Sequence, residues 1–153
     1  INEQTYLEFA NHHLSKNHKE ISAEAFAYLY HRFDGITWYV QYVLNMLYTS
    51  ITDKPLLEED DVKFAIDGIL AQHRFAYQAL IYQLTAKQKQ VLTAIALEGK
   101  PSSLMSQEFL QKYHLGASTV QGAVKTLLDR DFITQDEGVY QLCDKFLELS
   151  LRG

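Results

Sequence analysis

The sequence predicts a mostly α-helical chain of two modules, a helical bundle followed by a smaller domain that ends in a two-stranded hairpin. Apolar residues recur at helical spacing over most of the 153 residues, and Ser, Thr or Asp precede several of these runs, where helix caps are expected. A strand pattern follows only after residue 131. Apolar residues make up 47% and charged residues 22% of the chain, which indicates a globular protein. No apolar run approaches the roughly 18 residues of a membrane span.

The first module, residues 1–83, is predicted to be a bundle of four helices. The third of these is apolar on nearly every face, so it must be buried on all sides or face a partner. Ser22 and Thr37 are the expected caps of the second and third helices. The fourth starts at an acidic run that favours the positive end of the helix dipole, and it runs to Gln83 or bends near His73. The predicted helices are Thr5–Asn17, Ser22–Phe33, Trp38–Thr49 and residues 58–83.

Charge divides the chain unevenly, and this places the module boundary near Leu84. Residues 1–83 contain six basic and eleven acidic side chains, whereas residues 84–153 contain eight of each. The formal net charge is −5, so no overall basic field draws the chain to nucleic acid or to acidic membranes.

The second module, residues 84–153, has the element order of a winged helix, a variant of the helix-turn-helix. Thr85 is expected to cap its first helix, which Gly99 and Pro101 end, and Ser106 is expected to cap a short second helix. Ser118-Thr119-Val120-Gln121 matches the capping box and would open the third. The predicted wing consists of the strands Phe132–Thr134 and Val139–Leu142, joined by a turn at Asp136-Glu137-Gly138. Asp144 is the expected cap of an amphipathic tail.

Six segments of the second module carry a resemblance to a known family: residues 84–92, 106–109, 118–123, 127–133, 138–140 and 144–146. In this order they resemble the C-terminal end of prokaryotic P-loop ATPases, the archaeal-ATPase-like proteins of the AAA+/STAND type. Residues 33–41, Phe-Asp-Gly-Ile-Thr-Trp-Tyr-Val-Gln, resemble the helical lid that follows the nucleotide-binding core of the same proteins.

The resemblance implies a non-catalytic regulatory or binding end of a longer ATPase, with ATP and magnesium bound by the missing core. The sequence contains no Gly-x-x-x-x-Gly-Lys-Ser/Thr, so it cannot form a Walker A loop, and it begins at Ile1 without a methionine. We therefore expect a fragment that does not hydrolyse ATP. Its apolar third helix would pack on the missing core, and in isolation would favour self-association. The alternative is a self-contained DNA-binding transcriptional regulator with a helical dimerisation domain.

If the winged helix binds DNA, its third helix would enter the major groove. Lys112, Lys125 and Arg130 are the cations that would meet phosphates, whereas the acidic wing tip would be repelled by them. The sequence therefore leaves DNA docking and protein docking open. The outward positions with suitable side chains or bare backbone are Thr119, Gln121, Gly122, Lys125 and Thr126, with Arg130 after the helix.

Other chemistries have weaker support in the sequence. His12, His13 and His18 lack the spacing of three or four residues that two metal ligands on one helix need, so no metal site is expected. Cys143 is the single cysteine, which fits a cytoplasmic protein, and a nucleophilic pair with His114 would depend on folding. No catalytic constellation is present. The remaining alternative is an aromatic stacking surface on the first module, formed by Trp38 with Tyr28, Tyr30, Tyr39, Tyr42 and Tyr48.

Overall fold

A computed structural model describes residues 1–50 and 53–153 of the chain. The described residues are mostly helical, with eight helices and two small two-stranded sheets, so the predicted fold class is confirmed. The chain divides into two compact units, Ile1–Ala71 and Gln72–Gly153. The division at Leu84 that the charge pattern indicates stays a prediction.

The first unit is built from helices and one pair of very short parallel strands. The strands pair Glu20 with Leu56 and Ile21 with Leu57, and no sequence pattern of this length predicts them. Asn11 holds the first strand, because its side chain accepts from the Ile21 backbone N–H at 2.8 Å and donates to the Ile21 carbonyl at 3.3 Å. The elements are α1 (Glu3–Ser15), β1 (Glu20–Ile21), α2 (Ala23–Arg32), α3 (Thr37–Thr49), β2 (Leu56–Leu57) and α4 (Glu59–Tyr82), whose last turns belong to the second unit.

Helix α3 is buried on one side only. Val40, Val43 and Leu47 are buried, whereas the Trp38 side chain is 60% exposed. The predicted Thr37 cap is wrong, because Thr37 is already helical and Ile36 occupies the cap position without a side chain that can accept a hydrogen bond. The Ser22 cap is confirmed by its bond from the Ala25 N–H at 3.1 Å.

The C-terminal end of α3 is closed by a buried lysine. The Lys19 side chain is 7% exposed, and its ammonium donates to the carbonyls of Leu47, Tyr48 and Ser50 and to the Ser50 hydroxyl. The last carbonyls of a helix have no backbone N–H partner within it, so the lysine supplies donors and a positive charge where the helix dipole is negative. The Ser50 hydroxyl also donates to the Leu47 carbonyl and the Asn17 amide to the Tyr48 carbonyl, each at 2.7 Å.

The second unit has the order of three helices and a hairpin that the sequence predicts, followed by a last helix. Helix α5 packs against α7, α8 and β4, and its Val91, Leu92 and Ile95 lie in the core. The end of α4 contributes Tyr77 and Ile81 to the same core. The elements are α5 (Ala86–Glu98), α6 (Gln107–Lys112), α7 (Ala117–Asp129), β3 (Ile133–Asp136), β4 (Val139–Leu142) and α8 (Lys145–Arg152).

Most of the helix caps expected in this unit are present. Thr85 forms a full capping box with Gln88, and Ser106 and Asp144 accept backbone N–H groups of α6 and α8. The capping box predicted at Ser118 is wrong, because α7 begins at Ala117 and Gly116 is its cap residue without a side-chain bond. Strand β3 also begins one residue later than predicted, since the Phe132 N–H closes the preceding helix by bonding the Leu127 carbonyl at 2.9 Å.

Candidate functional site

Helix α7 presents a polar outer side because its inner side is fixed in the core. Val120, Ala123 and Leu127 are buried. The predicted contact residues Gln121 and Lys125 are exposed, and Thr119 is half-buried. The spacing of three and four residues between the buried positions is what turns the intervening polar residues outward.

The middle of this outer side is open. Gly122 is exposed, and apart from its own stretch of helix no atom lies within 4 Å of where a Cβ atom would be, so a partner can approach the backbone there. Lys125 has no hydrogen bond or ion pair within the residues that the structure describes. Its positive charge is therefore available to an incoming group.

The other predicted cations are engaged within the unit. The Arg130 guanidinium donates to the Gln83 carbonyl at 3.4 Å and to the Gln83 side-chain oxygen at 3.0 Å. The Lys112 ammonium lies 2.8 Å from a Glu98 carboxylate oxygen, and the Tyr113 hydroxyl donates to the same oxygen at 2.6 Å. Sequence reasoning missed both contacts because their partners lie 14 and 47 residues away.

The contacts among Glu98, Lys112 and Tyr113 shift the pKa of each of these groups. Hydrogen bonds from Lys112 and Tyr113 hold the pKa of the Glu98 carboxyl below its ordinary value, and the Glu98 carboxylate raises the pKa of Lys112. Burial and the Glu98 carboxylate raise the pKa of the Tyr113 phenol. The charge of Lys112 is consequently paired with a carboxylate before any partner arrives.

The wing is a regular hairpin with an acidic tip. Strand β3 pairs antiparallel with β4, and Glu137 and Gly138 of the turn have φ angles of 50° and 79°. Two consecutive residues with positive φ give the turn whose twist matches that of the strands, which confirms the role predicted for Gly138. Asp136 and Glu137 are exposed, so the wing tip carries two carboxylates.

Two contacts join the wing and the last helix to the rest of the unit. The Tyr140 N–H donates to the Pro101 carbonyl at 2.9 Å, which ties β4 to the segment after α5. Asp144 caps α8 through one carboxylate oxygen, and its other oxygen accepts from the Tyr77 hydroxyl of α4 at 2.9 Å. These bonds attach the hairpin to the segment after α5, and α8 to the end of α4.

Cys143 and the histidines are the remaining residues that the sequence singled out for catalysis or metal binding. Cys143 is exposed as a residue, but partial burial of its sulfur, together with the charges of Asp131 and Asp144, raises the pKa of the thiol, which disfavours the nucleophilic thiolate. No group of three or more His, Cys, Asp or Glu side chains that could hold a metal occurs in residues 1–50 and 53–153. A further histidine of the first unit, His31, lies with its ring nitrogen 3.2 Å from the Glu3 carboxylate.

The aromatic side chains of the first unit are largely used in its own packing. Tyr28 lies beneath the Lys63 ammonium, and the Tyr30 hydroxyl donates to the Ile1 carbonyl at 2.9 Å. The Tyr39 ring stacks on Phe33 with centroids 5.4 Å apart. All five tyrosines named for a stacking surface are half-buried, and Trp38 is the exposed member of that group.

No helix among the described residues is both long enough and apolar enough to span a membrane. Searches among curated proteins and among solved structures gave no match to this chain. A family model described as "Probable winged helix domain" matches residues 75–153, which is more than half of the chain and contains the three helices and the hairpin of the second unit. The chain therefore belongs to this winged helix domain family.

Proposed function

We propose that the winged helix of this chain docks a protein and acts as the non-catalytic regulatory end of a P-loop ATPase. Winged helices bind DNA or proteins, and the distribution of charge favours a protein here. The observation that carries the proposal is that the charge of Lys112 is paired with the Glu98 carboxylate, while the Arg130 guanidinium is hydrogen-bonded to Gln83. The wing tip adds two exposed carboxylates that a phosphate backbone would repel.

The number of available cations gives a quantitative expectation for DNA. If Lys125 alone meets a phosphate, affinity should fall about 3.5-fold between about 50 and about 200 mM salt. If Lys112, Lys125 and Arg130 all meet phosphates, the fall should be about 40-fold. Fluorescence anisotropy of a labelled duplex at the two salt concentrations separates these cases.

Protein docking predicts no measurable duplex binding at the lower salt concentration. Lys125→Glu should then change nothing, and neither should the matched variant Lys16→Glu in the first unit. The opposite result is duplex binding that falls about 40-fold between the two salt concentrations. If Lys125→Glu abolishes that binding and Lys16→Glu does not affect it, protein docking is refuted and DNA is the partner.

The acidic wing tip can be tested in the opposite direction. Changing Asp136 and Glu137 together to Lys replaces two exposed carboxylates with two cations. If these carboxylates exclude DNA, the double variant should gain duplex binding that Lys125→Glu again weakens. An unchanged anisotropy in the double variant would mean that the wing tip does not decide the choice of partner.

DNA binding by a self-contained regulator is the second candidate, and the exposed side chains of α7 favour it. Gln121 can read adenine edges and Lys125 can meet phosphate, while Thr119 and Arg130 lie at the two ends of the helix. A native mass near that of one or two chains and salt-dependent binding to duplex would support this candidate.

The ATPase parent is proposed on the sequence resemblance of residues 33–41 and of the second module. ATP and magnesium would bind the core of that parent, and the present chain should show no ATP turnover by itself. Sequencing the coding region upstream of the codon for Ile1 tests the proposal directly, because a Walker A motif must be encoded there. An upstream region without this motif would rule the parent out.

Exposed apolar side chains of the first unit support a contact with that core. Trp38 of α3 and Phe64 of α4 are 60% and 82% exposed. We propose that the core covers these two side chains and that, without it, the chain self-associates. Analytical ultracentrifugation should show mass increasing with concentration, and a strict monomer at high concentration would contradict self-association.

A further inference from the structure

A groove between α1 and α3 has the features of a ligand site. It encloses about 430 Å³, and its floor is apolar, formed by Phe9, Ala10, Leu14 and Leu44. This volume lies within the range of small-molecule pockets, which combine an apolar lining with a few polar groups.

One end of the groove contains a buried polar group without a partner. Tyr6 lines the groove and is 1% exposed, and its hydroxyl has no hydrogen-bond partner among the described residues. Burial raises the pKa of this phenol. The neighbouring Gln41 side chain lowers the pKa, although the two groups do not reach the geometry of a hydrogen bond. An unpaired buried hydroxyl is unfavourable, and a ligand atom bonded to it would remove that cost. The Gln41 side chain is exposed, so it can turn aside.

The other end of the groove is basic in an otherwise acidic module. His13 and Lys16 line this end, and neither has an ion pair in the part of the chain that the structure describes. The His13 ring also contacts Phe9, with centroids 4.5 Å apart. Residues 9–19 include no acidic side chain, and α3 contains no charged residue at all. An anionic group is therefore the complement of this end.

The distance between the two ends indicates the size of the ligand. Tyr6 and His13 are seven residues apart on α1, which corresponds to about 10 Å along the helix axis. We propose that the groove binds an aromatic carboxylate with a hydroxyl at its far end, the ring lying on the apolar floor. The carboxylate would lie between His13 and Lys16, and the hydroxyl would pair with Tyr6. This inference is independent of the function proposed for the winged helix.

Three related probes separate the contributions of the two ends. 6-Hydroxy-2-naphthoate carries both polar groups, 2-naphthoate lacks the hydroxyl, and 2-naphthol lacks the carboxylate. Their dissociation constants follow from titrations of the full chain monitored by amide chemical shifts. We expect 6-hydroxy-2-naphthoate to bind most tightly, with shifts concentrated in α1 and α3. Equal affinity for all three probes, or shifts elsewhere, would overturn the proposal.

A variant at either end of the groove should remove the contact that one functional group of the probe makes. Tyr6→Phe should remove the advantage of 6-hydroxy-2-naphthoate over 2-naphthoate, about fivefold for one hydrogen bond. It should also raise the melting temperature of the free chain, because the unpaired hydroxyl is gone, and this shows that the variant folds. A retained advantage in Tyr6→Phe would mean that the hydroxyl does not meet the ligand.

Lys16→Glu should weaken the binding of the two carboxylate probes about five- to tenfold, because it reverses the charge at an exposed position. The dissociation constant of 2-naphthol should stay unchanged. Lys125→Glu is the matched control, because it makes the same charge change in the second unit. If both variants weaken the binding of the carboxylate probes equally, these probes respond to the net charge of the chain, and the basic end of the groove is not their site.

Discussion

Lys19→Met tests whether the buried ammonium at the end of α3 stabilises the first unit. Methionine retains most of the side-chain volume but leaves the carbonyls of Leu47, Tyr48 and Ser50 without this donor. A hydrogen bond to a charged group contributes about 1.5–3 kcal/mol, and the cost of burying the ammonium offsets part of the total. Two of these carbonyl contacts are only partly buried, so water can replace some of what is lost. The Leu47 and Tyr48 carbonyls also keep the Ser50 hydroxyl and the Asn17 amide as donors. We expect a loss of about 3 kcal/mol in the free energy of unfolding.

Urea denaturation monitored by tryptophan fluorescence measures this loss. Trp38 is the single tryptophan and lies in α3, so its emission reports the helix whose end Lys19 holds. In a thermal scan the same loss corresponds to about 12 °C, at about 4 °C per kcal/mol for a small domain. Lys16→Met is the matched control, since Lys16 is exposed, and it should stay within about 0.5 kcal/mol of the wild type. A Lys19→Met variant as stable as this control would refute the reasoning.

Three further substitutions have defined outcomes. Asp144→Ala removes the cap of α8 and the acceptor of Tyr77, so it should lower stability by about 1–2 kcal/mol in circular-dichroism melts, and Tyr77→Phe should cost less. Glu98→Gln should destabilise the chain at neutral pH. Because the folded pKa of Glu98 lies below its ordinary value of 4.5, the difference from wild type should be present above pH 4.5 and disappear as the pH falls through the folded pKa. Glu137→Asn should raise stability by about 0.5 kcal/mol, since asparagine tolerates the positive φ of this turn position better, and no gain in the melts would contradict that assignment.

The sequence predicted those features that depend on neighbouring residues. Ser22, Thr85, Ser106 and Asp144 cap their helices because each side chain reaches an N–H two or three residues onward. The errors at Thr37 and Ser118 have one cause: each helix begins earlier than the side chain that seemed suited to cap it. A cap can be read from sequence only when the first helical residue is placed correctly.

Features that depend on distant residues could not be predicted. Strands β1 and β2 are two residues each and lie 36 positions apart, so neither forms a periodic pattern. The outward direction of Lys125 followed from helical spacing, but the pairing of Lys112 with Glu98 required the fold. The electrostatic character of the candidate docking site was therefore visible only in the structure, although helical spacing correctly predicted that Gln121 and Lys125 are exposed.

The single cysteine provides a natural position for a spectroscopic label beside the wing. Cys143 directly follows β4, is exposed, and its backbone N–H is fixed by the Phe132 carbonyl at 3.0 Å. A maleimide fluorophore would attach at one defined point without any substitution, and its emission would respond to whatever covers the hairpin. Because the thiol pKa is raised, labelling should proceed slowly at neutral pH and faster in mildly alkaline buffer. Titrating the labelled chain with duplex DNA and, separately, with a candidate protein would then show which of the two covers the hairpin.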